Sequence, residues 1–197
     1  MCSFCCPKST KETWNYAQKK RLVYKERNEE QRKIFNEAIV SIPSESLVYV
    51  DETGIDQYLY RPYARSPRGT IVEGRISGKR YKRTSIVAGL CDKEIVAPLQ
   101  YGGTMDSTLF RFWFETMLLP SIKPGSTIVM DNARFHQKKI LQDMAQLVGC
   151  HVLFLPPYSP DLNLIEFFWA WLKNRLRCIL PFFSCLDDAI TDCFNVA

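Results

Sequence analysis

The 197-residue sequence has no apolar run near the roughly 18 residues that a membrane-spanning helix needs. Its opening, MCSFCCPKSTKE, lacks the apolar core of a signal peptide. Internal repeats and low-complexity tracts are missing too. These absences leave a globular protein of the cytoplasm as the expectation. Cys2, Cys5 and Cys6 form a C-x-x-C-C cluster, but no second Cys or His pair follows at finger-like spacing, so a zinc finger is not expected. Cys91, Cys150, Cys178 and Cys193 sit singly in apolar or helical patterns, as small hydrophobes and reduced thiols. What is present is ordinary for a folded chain: 46% hydrophobic and 24% charged residues, enough length for one substantial domain with a short arm.

The net charge of +5 is modest, yet it is concentrated. Arg61, Arg65, Arg68, Arg75, Lys79, Arg80, Lys82 and Arg83 face a single acid, Glu73, in the same stretch. Tyr58, Tyr60, Tyr63 and Tyr81 are interleaved with them. Such a segment fits contact with a phosphate backbone and fits equally a solvated hairpin face.

Periodicity divides the chain into a charged arm, residues 1–45, and a domain over 46–197. In the arm, residues 25–40 read as one helix with Ile34, Ala38 and Phe35 on its apolar face, ending before Pro43. Leu47-Val48-Tyr49-Val50 is a continuous apolar run, the pattern of a strand buried on both faces. Strand-like segments follow at 57–64, 82–91 and 94–100. An aromatic-rich helix over 108–119 is closed by Pro120. Thr127–Met130 and Val152–Leu155 are two further buried strands, separated by an amphipathic helix at 137–148. A long helix from Asn163 to Leu180 and a last one near 185–195 complete the chain. Hairpin strands first, then alternating helix and strand, predict an α/β fold with a mixed sheet flanked by helices.

Two of the buried strands run directly into an aspartate, Asp51 and Asp131. In open α/β sheets ligands gather at the carboxyl ends of parallel strands, and parallel neighbours lie about 4.8 Å apart. Two aspartates at matching ends suit a hard cation, which takes oxygen ligands; each alone also suits a turn. Glu166 is the third acid. With Asn163 as N-cap it completes a capping box, and the same placement puts a carboxylate in the first turn of the helix beside the sheet's ligand edge. Lys173 and Arg177 recur along the polar side of that helix.

The motifs VDETG at 50–54, MDNARFH at 130–136 and PPYSPDLNLIEFFWAWLK at 156–173, with 34 residues between Asp131 and Glu166, resemble the DDE-superfamily transposases. Within that superfamily they look most like the mariner-like group of bacterial insertion sequences. The resemblance implies a ribonuclease-H-like fold, with Asp51 on the first strand, Asp131 on the fourth and Glu166 on a later helix. It implies metal-dependent DNA cleavage and strand transfer at Asp51, Asp131 and Glu166, which would hold two Mg2+ ions, with Mn2+ as a substitute. Asn132 and His136 match family positions that orient the site or contact DNA, and Asn163 supports it as the candidate N-cap of the helix that carries Glu166. The implied partners are double-stranded DNA, a helix-turn-helix module carried elsewhere or by a separate product, and a second copy; the implied location is the bacterial nucleoid. Leu164 stands where the family has proline. Two other readings stay open: an inactive DNA-binding remnant, and a ribonuclease-H-like nuclease acting on another nucleic acid. From the residues alone, Glu52 should point to the opposite face from Asp51, Asp161 reads as a turn residue, and Trp169 and Trp171 read as packing residues.

Overall fold

The computed structural model describes residues 24–59, 67, 70–74, 77–79, 81 and 83–196. Helix α1 (Glu29–Val40) begins where Asn28 accepts the Gln31 N–H at 3.0 Å, with Glu29 and Glu30 in the first turn against the positive end of the dipole. Its buried face is not the expected one. Arg32 and Phe35 are buried while Ile34 is 61% exposed, because Arg32 has a distant partner that local periodicity does not reveal.

Five strands form one mixed sheet: β1 (Leu47–Asp56), β2 (Arg83–Cys91), β3 (Glu94–Gly102), β4 (Thr127–Met130) and β5 (His151–Phe154). Their order is β3-β2-β1-β4-β5. The first three pair antiparallel, whereas β1, β4 and β5 run parallel. β1 does not stop near Val50, since antiparallel pairing with β2 carries it through Gly54 to the partnership of Asp56 with Arg83. Gln57–Leu59 are not in a strand, and the rest of the segment 60–64 lies outside the described residues.

Side chains alternate across β1 and divide the core in two. Leu47, Tyr49 and Ile55 face α1, α5 (Ile165–Ile179) and α6 (Leu186–Asn195), packing with Trp169, Leu172, Leu176 and Ile190. Val48 and Val50 face the other side, against Phe110, Trp113, Phe114 and Leu118. That side is built from α2 (Ser107–Trp113), a wide π turn (Phe114–Leu118), the short α3 (Leu119–Ser121) and α4 (Lys138–Leu147). Pro120 sits inside the start of α3 rather than closing the helix, a position where its missing N–H costs little. Gly149, at φ +74°, reverses the chain between α4 and β5 in a conformation that a side chain would strain. Among the described residues no cysteine is in a disulfide and no helix is long and apolar enough to cross a membrane.

Candidate active site

β1 and β4 are in register at Tyr49 and Val129, so Asp51 and Asp131 lie level with each other two residues beyond that pair. Both share the parity of Tyr49 and Val129 and project toward the α5 side of the sheet. Asp51 is mid-strand, at the point where parallel pairing with β4 ends and β2 alone continues alongside.

The two carboxylates live in different surroundings. Asp51 Oδ2 accepts the indole N–H of Trp169 at 3.1 Å. Burial, and then the charges of Glu166, Asp131 and Glu52, push its pKa up to about 7, opposed only by a backbone N–H. Asp131 is half-exposed and accepts the Ala133 N–H at 3.0 Å, while His136 Nδ1 lies 3.2 Å from the same oxygen. Burial raises its pKa, but the His136 and Ala133 hydrogen bonds outweigh that and hold the carboxyl below its ordinary range.

His136 is buried, its ring packed 4.3 Å from that of Phe110 and 4.4 Å from that of Phe135. Its Nε2 faces Glu52 Oε1 at 3.8 Å, too long for a hydrogen bond but close enough to form an ion pair. Burial disfavours the imidazolium; the carboxylates of Asp131 and Glu52 more than compensate and raise the pKa to about 9. Glu52 does lie across the strand from Asp51, and its partnership with His136 is a feature that sequence reasoning missed.

The third acid arrives on the loop after β5. Glu166 is exposed in the first turn of α5, and with Asp51, Asp131, Asn132 and Asn163 it lines one cleft of about 370 Å³ walled by Leu155–Pro160. The expected capping box is absent. Helix α5 begins at Ile165 with no side-chain cap, and the Asn163 amide turns to β1, donating to the Val50 carbonyl at 3.1 Å. Asn132 donates to the Leu155 carbonyl and ties the end of β4 to this loop. Asp161 is already taken. Arg32 donates to both of its oxygens, at 3.0 and 2.7 Å, and holds its carboxyl below the usual range. A wider hollow of about 500 Å³ along α1 is only a helix flank, and the two acids that line it, Glu29 and Glu37, are paired with Arg27, Arg32 and Lys33.

The donor chemistry fits a divalent cation: three carboxylates on one cleft, one of them carrying a proton affinity raised by burial and then by the charges of the other two. As they stand they do not close on one point, for among the described residues no three Asp, Glu, His or Cys side chains converge at ligating distance.

The basic residues are placed less completely. Lys173 and Arg177 follow Glu166 by seven and eleven residues, which on a helix is the same face, about 10 and 16 Å further along. Lys79 and Arg83 are exposed, and Arg83 folds its guanidinium over Gly54, occupying the space that a Cβ there would need. Tyr58 and Tyr81 stack at 5.2 Å and bring the two ends of the basic segment together. Arg61, Arg65, Arg68, Arg75, Arg80 and Lys82 lie outside the described residues, as do Cys2, Cys5 and Cys6.

A family model for the DDE superfamily endonucleases matches residues 46–189. Comparison with curated proteins finds no match. Among solved structures, the mariner Mos1 paired end complex with Mg superposes with a TM-score of 0.66 at 18% identity, over 93% of this chain and 65% of that one. The Mos1 mariner paired end complex with Mn gives 0.64 at 20% identity, over 84% of this chain and 54% of that one. The Mos1 transposase paired-end complex with left transposon end gives 0.63 at 17% identity, over 84% and 54%. At these identities the likeness is one of fold, and the fold is ribonuclease-H-like. The chain spans between 54% and 65% of the length of these three proteins, less than two thirds of each.

Proposed function

The chain belongs to the DDE superfamily of endonucleases, and from that premise we propose that it is the catalytic domain of a transposase, cutting duplex DNA and transferring the freed strand end. The observation that carries this reading is the single cleft onto which Asp51, Asp131 and Glu166 open from level positions along two neighbouring parallel strands and from the first turn of α5. The three acids would hold Mg2+, with Mn2+ as a substitute, and a pair of such ions when bound supplies activation of a water and stabilisation of a leaving 3′ oxygen. The protein's own contribution is placement. His136 keeps Asp131 ionised, and Asn132 and Asn163 tie the two ends of the loop between β5 and α5 to the strands that carry the aspartates.

Duplex DNA would be held by charge. Lys173 and Arg177 lead away from Glu166 along one helix face, and the basic residues of 61–83, which follow β1 in the sequence and end at the first residue of β2, would add further positive charge. Recognition of element ends would come from a helix-turn-helix module in the same or another polypeptide, and pairing of two copies would bring two ends together. Of the N-terminal arm, residues 1–45, helix α1 packs on the catalytic domain through Phe35 and Ile39 and would serve as its accessory.

The test is nicking of duplex DNA carrying the element's ends, with Mg2+, by the protein supplied with its end-recognition module. Glu166→Gln keeps the size of the side chain and loses its charge, so nicking should fall to background while metal-free stability is retained. Nicking that survives Glu166→Gln would remove Glu166 from the catalytic site, and cleavage of an RNA–DNA hybrid in preference to duplex DNA would refute the transposase reading.

A further inference from the structure

Asn163, Glu166 and Trp169 recur every third residue, and the outer two reach the same strand. Asn163 donates its amide to the Val50 carbonyl at 3.1 Å, and Trp169 donates its indole N–H to Asp51 Oδ2 at 3.1 Å. Asn163 is 2% exposed and Trp169 1% exposed, so both bonds are shielded from water. Together they fasten the beginning of α5 to the consecutive β1 residues Val50 and Asp51, through α5-side donors that stand three residues before and three residues after Glu166.

A buried tryptophan needs a partner for its N–H, and packing alone would be content with any acceptor. Trp113 shows the ordinary solution: buried in the other half of the core, it donates to the Ala97 backbone carbonyl at 2.7 Å. Trp169 spends its donor on an acidic side chain instead. The choice of donor also matters. Arg32 shows what a cationic donor does to an acid, since its guanidinium takes both oxygens of Asp161 and leaves nothing for a metal. An indole has one N–H and no charge. It orients a carboxylate through one oxygen, leaves the other free, and does not repel a cation.

On the metal-site reading given above, we infer that Trp169 and Asn163 are positioning residues. Trp169 fixes the rotamer of Asp51 so that Oδ1 is presented to the cleft, and the pair sets the separation between Asp51 and Glu166. Neither touches the reacting phosphate. Outer partners of this kind typically change metal affinity 10- to 100-fold.

The experiment is a calorimetric titration of the folded full chain with Mn2+, paired with thermal melting in metal-free buffer and an NMR titration with Mg2+ that follows the Trp169 indole N–H. Trp169→Phe keeps an aromatic ring in the core and removes the donor, along with part of the ring volume, so some loss of metal-free melting temperature is expected whatever the role of the residue. It should in addition weaken Mn2+ binding about tenfold. In the unaltered protein the indole resonance should shift as Mg2+ saturates, and in Asp51→Asn it should not respond. A merely structural tryptophan would give unchanged Mn2+ affinity in the folded variant and an indole resonance indifferent to Mg2+. The NMR arm needs no tryptophan variant and decides the matter if Trp169→Phe does not fold. Absence of any metal binding by the unaltered protein would overturn the metal site itself, whereas normal binding with an indifferent indole would overturn only the positioning role.

Discussion

Asp51 and Asp131 stand level on neighbouring parallel strands, and their surroundings set them apart. Asp51 is sheltered under α5, its one side-chain donor is a neutral indole, and two further carboxylates share its cleft. Asp131 lies past the end of β4, half in solvent, with a backbone N–H and a histidine on the same oxygen. The first is driven toward protonation near pH 7 and the second is kept ionised. Equal backbone position therefore does not mean equal charge. The strands set where the two acids stand, and the helices and loops decide which of them needs a cation to remain charged.

The largest effect of this asymmetry should appear in metal-free stability. A carboxyl whose pKa is about 7 when folded and about 4 when unfolded binds more protons in the folded state, so the fold loses stability as pH rises between those values. For Asp51 the loss should be a few kcal/mol, on the order of 3–4, complete above pH 7. Chemical denaturation in chelator at pH 5, 6 and 8 should show the decline, and Asp51→Asn should remove it and be the more stable protein at pH 8. A decline that persists unchanged in Asp51→Asn would place its origin elsewhere.

A smaller effect should come from the other side of the cleft. His136 has a folded pKa raised to about 9, so the stability it adds is fully present below about pH 6.5 and lost as pH rises through 9. His136→Gln should cost about 1–3 kcal/mol at pH 6, where a charge-assisted bond is removed, and much less at pH 10. Removing the imidazolium also lets the Asp131 carboxyl titrate upward, so the variant should make the two aspartates more alike. Equal losses at pH 6 and pH 10 would mean that His136 acts by packing on Phe110 and Phe135 alone.

Much of this arrangement was legible in the residues, and the part that was not has a common physical cause. Apolar runs ending in Asp identified β1 and β4, and the helical period over residues 165–179 identified α5, because these patterns are local. β1 runs on through Gly54 because β2, some thirty residues later, pairs with it. The buried face of α1 contains Arg32 because Asp161, 129 residues away, awaits it. The motif Asn163-x-x-Glu166 has the letters of a capping box, yet the Asn163 amide is drawn to the Val50 carbonyl across the core. Trp169 reads as packing and does pack, and only the folded structure reveals that its N–H ends on Asp51. In each case a long-range partner outcompeted the local one.

The central claim, that Asp51, Asp131 and Glu166 form one cation site, is tested most directly by titrating Mn2+ into the folded protein and into Asp51→Asn, Asp131→Asn and Glu166→Gln. The account predicts saturable binding in the unaltered protein, sharply weakened by each substitution. At pH 6 binding should also release protons that Asp51→Asn does not release, because only the unaltered site must ionise Asp51 to hold the metal. Equal affinity in all four proteins would show that these three acids, however they share the cleft, are not a metal site.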